Sequence, residues 1–265
     1  MQNFSNARML ALVALVSAVG TGCAKPKEPT QAELKIAKAN SLFLAKDFAG
    51  AAAEYDEAFK TDPAPELKVL EWAAFANKSS GNVDRAAELL LKTIADPKTP
   101  ADKKLERYKD LANIYREAGK LEKAEEYFGE VVKLDPKDDQ SLSWMAEIAS
   151  IRGGARAMKG PVKPEQLDLA MARYDKVVEV NPAAAQAAYI NKRIALSRYI
   201  MYMGEQKQQA EQDAADKKKK KDAAAAAALE ASAARFQERM DDLRARLEAT
   251  NKALGAANKA ARAAK

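Results

Sequence analysis

An all-helical chain made of stacked helix pairs is the architecture this sequence predicts, and three observations carry the prediction. Ala, Lys, Glu and Leu dominate, while Gly and Pro number only 11 and 10 of 265 residues, a composition that favours helix. No segment alternates apolar and polar residues with the period of a strand. A pattern of small and aromatic residues also recurs at nearly constant spacing, the mark of a structure assembled from repeated units.

The charge pattern excludes several function classes. The 44 basic and 38 acidic residues leave a net charge of +6, but the signs are interspersed over most of the chain. That predicts solvated helix faces and argues against a surface that tracks phosphates, so nucleic acid is not an expected partner. With no histidine and one cysteine, the chain cannot build histidine-based triads, His/Cys metal sites or an internal disulfide. Carboxylates such as Asp84, Glu147 and Asp168 stand in no pairing that suits acid/base work, so the chain is not expected to be an enzyme and no metal or dissociable cofactor is expected.

Each repeat can be read residue by residue. Lys46-Asp47-Phe48-Ala49-Gly50-Ala51, Gly81-Asn82-Val83-Asp84-Arg85-Ala86 and Gly119-Lys120-Leu121-Glu122-Lys123-Ala124 each run from a turn through an apolar residue to an alanine. Four residues beyond the alanine stand Tyr55, Leu90 and Phe128, and Asp62-Pro63, Asp96-Pro97 and Asp135-Pro136 follow. Upstream of each turn a first helix carries its own small residue, Ala39, Ala74 or Ala112. Two antiparallel helices approach closely only where side chains are small, so the alanines mark the crossing and the large residues fill the space between successive pairs. Proline ends the second helix because it has no amide hydrogen and clashes with the preceding turn. A fourth unit pairs Leu142, Met145 and Ala146 with Ala170, Tyr174 and Val177, then Asn181-Pro182, across an inserted loop at 153–164. A loop of that length is either functional or disordered.

This arrangement is similar to the tetratricopeptide repeat, and the spacings of 35 residues from Ala51 to Ala86 and 38 from Ala86 to Ala124 lie near that family's period of about 34. The resemblance implies a tetratricopeptide-type solenoid over 32–204, of about four units with a capping helix. It also implies a concave groove, lined by the first helix of each pair, that holds a partner polypeptide. Aligning the units on their alanines sends Ile36, Asn40, Phe43, Trp72, Phe75, Asn113, Arg116, Trp144 and Glu147 into that groove. Trp72 and Trp144 fall two residues after Leu70 and Leu142. As large, low-entropy anchors they suit a binding face; the alternative is that they only cover a neighbouring helix. Family members that clamp a C-terminal carboxylate use a Lys/Asn/Arg set. Asn40 matches one of those places, but Trp72, Glu106 and Asp110 occupy others, so a carboxylate clamp is not expected.

The first 22 residues form an address. Arg8 precedes a short apolar run from Met9 to Val19, followed by Gly20-Thr21-Gly22-Cys23. These are the charged, apolar and small-residue regions of a secretory signal, too short to span a bilayer. Small residues before a lone cysteine resemble the lipobox of bacterial lipoproteins, with Gly20 where those families usually have Leu. The resemblance implies a covalent diacylglycerol and an acyl chain such as palmitate on Cys23, which becomes the mature N-terminus. The alternative is an ordinary signal peptide. Two or more acyl chains anchor stably, and residues 23–31, rich in Pro and charge, read as a tether. Ala24 differs from the Asp that resembles an inner-membrane retention signal, so the expectation is the outer membrane, facing the periplasm.

Residues 205–265 form a Lys/Ala-rich helical tail. Lys217 to Lys221 are five consecutive lysines, followed by Asp222 and six alanines. The run is either a solvated face or hinge, or a contact for anionic lipid headgroups or lipopolysaccharide. Leu229, Ala233, Phe236, Met240, Leu243, Leu247, Thr250 and Leu254 then alternate by three and four as a coiled-coil seam. Arg239 and Arg244 would face each other in a parallel homodimer, which favours an antiparallel hairpin with the preceding helix or a partner helix; self-association through this helix is the remaining alternative. The combined expectation is a scaffold binding an envelope protein. Lipid-anchored proteins with these repeats resemble secretin pilotins, the barrel-assembly lipoprotein and gliding-motility lipoproteins. The other reading is a structural tether with no binding groove.

Overall fold

The computed structural model describes residues 28–63, 65–157 and 160–263. Cys23 and the signal-like segment lie outside them. The described residues are helical with no strand: α1 (Gln31–Leu44), α2 (Phe48–Thr61), α3 (Leu67–Ser79), α4 (Val83–Ala95), α5 (Ala101–Glu117), α6 (Leu121–Leu134), α7 (Asp139–Arg152), α8 (Pro164–Val180), α9 (Ala185–Lys219) and α10 (Ala223–Ala263). Consecutive helices pair as α1 with α2, α3 with α4, α5 with α6, α7 with α8 and α9 with α10, and each pair packs on the next. The fold is a helix-turn-helix solenoid that ends in a long helical hairpin.

Helix boundaries follow from local chemistry. Thr30 caps α1 with a reciprocal box, its hydroxyl accepting from the Glu33 amide while Glu33 accepts from the Thr30 amide. Asp62, Asp96, Asp135 and Asn181 are the C-caps of α2, α4, α6 and α8, each one residue before a proline. The turns inside the pairs share one geometry. The Asp47, Asn82 and Lys120 amides each donate back to the carbonyl five residues earlier, at 2.9, 2.8 and 2.9 Å. The residue before each of them is left-handed: Lys46 at φ 62°, Gly81 at 87° and Gly119 at 71°. This six-to-one bond satisfies carbonyls that the helix end would otherwise strand. The α9–α10 turn repeats it, with Lys221 at φ 58° and the Asp222 amide 3.0 Å from the Lys217 carbonyl. The final hairpin thus turns as the repeats do.

Packing follows the alanines. Ala39, Ala51, Ala74, Ala86, Ala112, Ala124, Ala146 and Ala170 are all buried, and Tyr55, Leu90, Phe128 and Tyr174 fill the spaces around them. Interspersed charges join neighbouring units rather than forming a patch: Arg85 reaches Asp56 at 2.8 Å, Lys120 reaches Asp84 at 2.7 Å, and Arg152 and Arg173 share Glu125 at 2.6 and 2.5 Å. The exposed pairs among these add little stability each; Glu125 and Arg173 are the least exposed, at 17% and 19%.

The inserted loop closes on itself. Gly154 is left-handed at φ 76°, and a Cβ there would lie 2.6 Å from the Pro161 carbonyl oxygen. A side chain on Gly153 would strike Leu167 of α8. Ala155 and Val162 are buried against Leu167, Met171, Leu196, Tyr199, Met203, Met240 and Leu243, so the loop's two ends belong to the core that holds α8, α9 and α10 together.

In the tail, Ala233, Met240, Leu243, Thr250 and Leu254 are buried and Leu229, Phe236 and Leu247 half-buried, so the seam faces α9 in an antiparallel hairpin. Residues 204 and 205 lie inside the unbroken α9, and solenoid and tail share that helix. Arg239 faces α8, donating to both oxygens of Asp168 at 2.7 and 2.8 Å with its guanidinium 5.3 Å from the Tyr199 ring centre. From Met203 and Met240 toward the α9–α10 turn, the buried residues of the hairpin are alanines only: Ala210, Ala214, Ala226 and Ala233.

The shared turn generates a paired prediction. Gly119→Ala will lower stability by about 1 kcal/mol, because nothing lies near an added methyl group and the whole cost is the left-handed backbone. Lys46→Gly will raise stability by a similar amount. Urea unfolding of both variants measures the difference.

Candidate partner-binding face

The first helices α1, α3, α5 and α7 carry every residue expected in the groove. Ile36, Asn40, Phe43, Trp72, Asn113, Arg116, Trp144 and Glu147 are half-buried, and Phe75 is 48% exposed. These residues gather in groups along the face.

Near the first two units, Phe43 at the end of α1, Phe48 at the start of α2 and Phe75 on α3 form a triangle. The ring centres lie 5.5 Å apart for Phe43–Phe48, 5.5 Å for Phe43–Phe75 and 5.7 Å for Phe48–Phe75. Edge-on and tilted contacts of this kind are each worth about 0.5–1.5 kcal/mol beyond the area they bury. Phe48 follows the turn rather than sitting on a first helix, so alignment of the first helices alone missed it. Its signal was its place as the apolar residue after the turn, held in common with Val83 and Leu121.

Near the third and fourth units, the Arg116 guanidinium lies 4.0 Å from the Trp144 ring centre, and its Nε donates to Oδ1 of the Asn113 side chain at 3.4 Å. Stacking of this kind orients both groups. Trp72 takes the Lys68 ammonium of its own helix over its ring at 4.8 Å. Both tryptophans also pack against the core cluster, so the binding and covering readings are not exclusive: one side of each ring rests on the core. Ion pairs Arg107–Glu71 at 2.9 Å and Lys78–Glu117 at 3.2 Å bridge α3 and α5.

Asn40 and Glu147 have an internal task that sequence alignment did not disclose. The Tyr55 hydroxyl donates to Asn40 at 2.6 Å, and the Tyr174 hydroxyl donates to Glu147 at 2.9 Å. Glu147 also pairs with Arg156 at 3.0 Å. Each tyrosine stands four residues after its alanine, on the second helix, and each acceptor stands one residue after the alanine of the first. In the middle units those second-helix places hold Leu90 and Phe128, which carry no hydroxyl, and the first-helix places hold Phe75 and Asn113. Asn113 instead donates to the Lys109 carbonyl at 3.0 Å. A buried hydroxyl requires a partner, so the rule was legible once the two places were compared. Burial raises both phenol pKa values above the ordinary tyrosine range, and at Tyr174 the Glu147 carboxylate adds to that rise.

Among the described residues no group of three carboxylate, cysteine or histidine side chains is placed to hold a metal ion, and no helix is long and apolar enough to cross a membrane.

The Tetratricopeptide repeat family matches residues 106–138, a stretch that runs from Glu106 in α5 through α6 to the cap of α7. The third unit is therefore a tetratricopeptide repeat. A search of curated proteins returns no match. Among solved structures, the chain is similar to a MamA protein with 16% identity, 80% of this chain and 94% of that chain covered and a TM-score of 0.45. It is similar to MamA residues 41 to the end from Desulfovibrio magneticus RS-1, with 12% identity, coverages of 81% and 99% and a TM-score of 0.43. It is also similar to YrrB, described as a TPR protein with an unusual peptide-binding site, with 17% identity, coverages of 77% and 85% and a TM-score of 0.42. At these scores the function must be argued from the chain's own residues.

Tyr55→Phe will cost about 1 kcal/mol, the net value of one internal hydrogen bond, and adding Asn40→Leu will recover part of it by removing the stranded acceptor. A double-mutant cycle by chemical denaturation checks both statements.

Proposed function

We propose that this chain is a non-enzymatic, lipid-anchored scaffold that binds another protein through the face of its first helices, as part of a cell-envelope assembly. The observation that carries the reading is Phe75. It is a large aromatic left 48% exposed yet in ring contact with Phe43 and Phe48, and it shares its face with Trp72 and with the stacked Arg116–Trp144 pair. Interfaces concentrate binding energy in such aromatic and arginine anchors. Their cost of immobilisation has already been met inside the free protein.

Anchoring is the second part of the proposal. The apolar run, small residues and Cys23 support a lipoprotein whose diacylglycerol and acyl chains hold it at the outer membrane with the repeats in the periplasm. A secretin, barrel-assembly or motility machine is the class of assembly in which such a scaffold would serve.

A photoreactive residue at Phe75, introduced in living cells, is expected to crosslink one main partner. Trp72→Ala with Trp144→Ala, folded normally by circular dichroism, is expected to lose that partner by at least tenfold. An unchanged partner set in the double variant would favour the tether reading. Cys23→Ser is expected to abolish palmitate labelling and release the protein from the membrane fraction; persistence of both would refute the anchor.

A further inference from the structure

From the geometry of the last hairpin we infer a second interaction surface, independent of the first-helix face: the lysine-rich tip docks on an anionic phospholipid bilayer. The helix α9 continues from Met203, its last large buried residue, to Lys219, a reach of about 24 Å at 1.5 Å per residue. The turn and the start of α10 close the tip. Lys217 to Lys221 are all exposed there, and with Asp216 and Asp222 they leave a net charge of +3 over residues 216–222.

Several observations distinguish this tip from an ordinary solvated run. The lysines are gathered at one end of a rod instead of along one side. Lys217, Lys218 and Lys219 pair with Asp222, Glu230 and Asp216 at 4.0, 2.5 and 3.1 Å, whereas Lys220 and Lys221 have no ion pair among the described residues. Below the tip, residues 204–215 and 223–238 carry five acids, Glu205, Glu211, Asp213, Glu230 and Glu238, against two bases, Lys207 and Arg235, so the shaft there is net negative and the net positive charge lies at the end.

Those features select the partner. A duplex nucleic acid requires a basic track along its backbone, which the mixed-charge shaft does not offer. An interface with a folded protein has an apolar or aromatic core, and residues 205–228 contain no large apolar side chain. A bilayer rich in phosphate headgroups needs neither. It offers a flat, diffuse field that flexible ammonium groups meet as point charges, each raising the partition coefficient about fivefold.

Full-length protein is floated with vesicles of about 30% phosphatidylglycerol in phosphatidylcholine at low salt. The triple variant Lys219→Gln, Lys220→Gln, Lys221→Gln is expected to partition on the order of a hundredfold less well, with unchanged circular dichroism. A charge-matched control, Lys252→Gln, Lys259→Gln, Arg262→Gln, alters exposed residues toward the far end of α10 and is expected to bind like the parent. All three proteins carry Cys23→Ser, so stable acyl anchoring cannot mask a difference in partitioning. Equal binding of the triple variant and the parent overturns the proposal, as does equal loss in the control. Tighter binding of the parent tip to duplex DNA or polyglutamate than to the vesicles at the same ionic strength overturns the choice of partner. None of these results bears on the Phe75 crosslink.

Discussion

How near two helix backbones come is the constraint on which the rest of this protein depends, and alanine sets it. A pair that crosses at Ala39 and Ala51, or at Ala112 and Ala124, brings its backbones close because neither side chain extends past a methyl group. The larger residues then have room only at the periphery of the pair, where Tyr55, Leu90, Phe128 and Tyr174 meet the next unit. A methylene added at the crossing of a close-packed core would push the pair apart, and the shift would pass to every unit stacked beyond it, since each unit rests only on its neighbours.

The same economy of means shapes the ends of the helices. One turn, with a left-handed residue and a six-to-one hydrogen bond, serves α1–α2, α3–α4, α5–α6 and α9–α10, and it also closes α7 before the inserted loop. Where glycine occupies the left-handed place the backbone is relaxed; where Lys46 or Lys221 occupies it, some strain remains. The final hairpin therefore extends the repeat plan, with helices too long for another unit to cover. Its outer half is held by alanine methyl groups, which bury little apolar area, by half-buried Leu229 and Phe236, and by the lysine-bearing turn. Its inner half is fixed by Met203, Met240 and Leu243 and by the Arg239–Asp168 contact.

Along the first helices, residues serve the repeat and the outer face at once. Asn40 and Glu147 are committed inward by tyrosine hydroxyls, which leaves the aromatic rings and Arg116 as the groups with surface to offer. Each ring is supported from beneath by the core or by another ring. That support gives the exposed Phe75 ring a defined place against Phe43 and Phe48.

By itself the sequence determined the helical class, the units, their turns and proline stops, and the place of each alanine, because these are decided within one or two helical turns or by a fixed period. It also placed Ile36, Phe43, Trp72, Phe75, Arg116 and Trp144 on the first helices of the pairs. What it could not decide were relations between residues far apart in the chain: that Tyr55 and Tyr174 would claim Asn40 and Glu147, that Phe48 would complete the ring cluster, that the ends of the inserted loop would enter the core, and that Asp168 would receive Arg239. Those depend on how one helix is rotated against another. Periodicity fixes which face of a helix is apolar, but the rotation and depth of each contact emerge only when all the side chains are packed together.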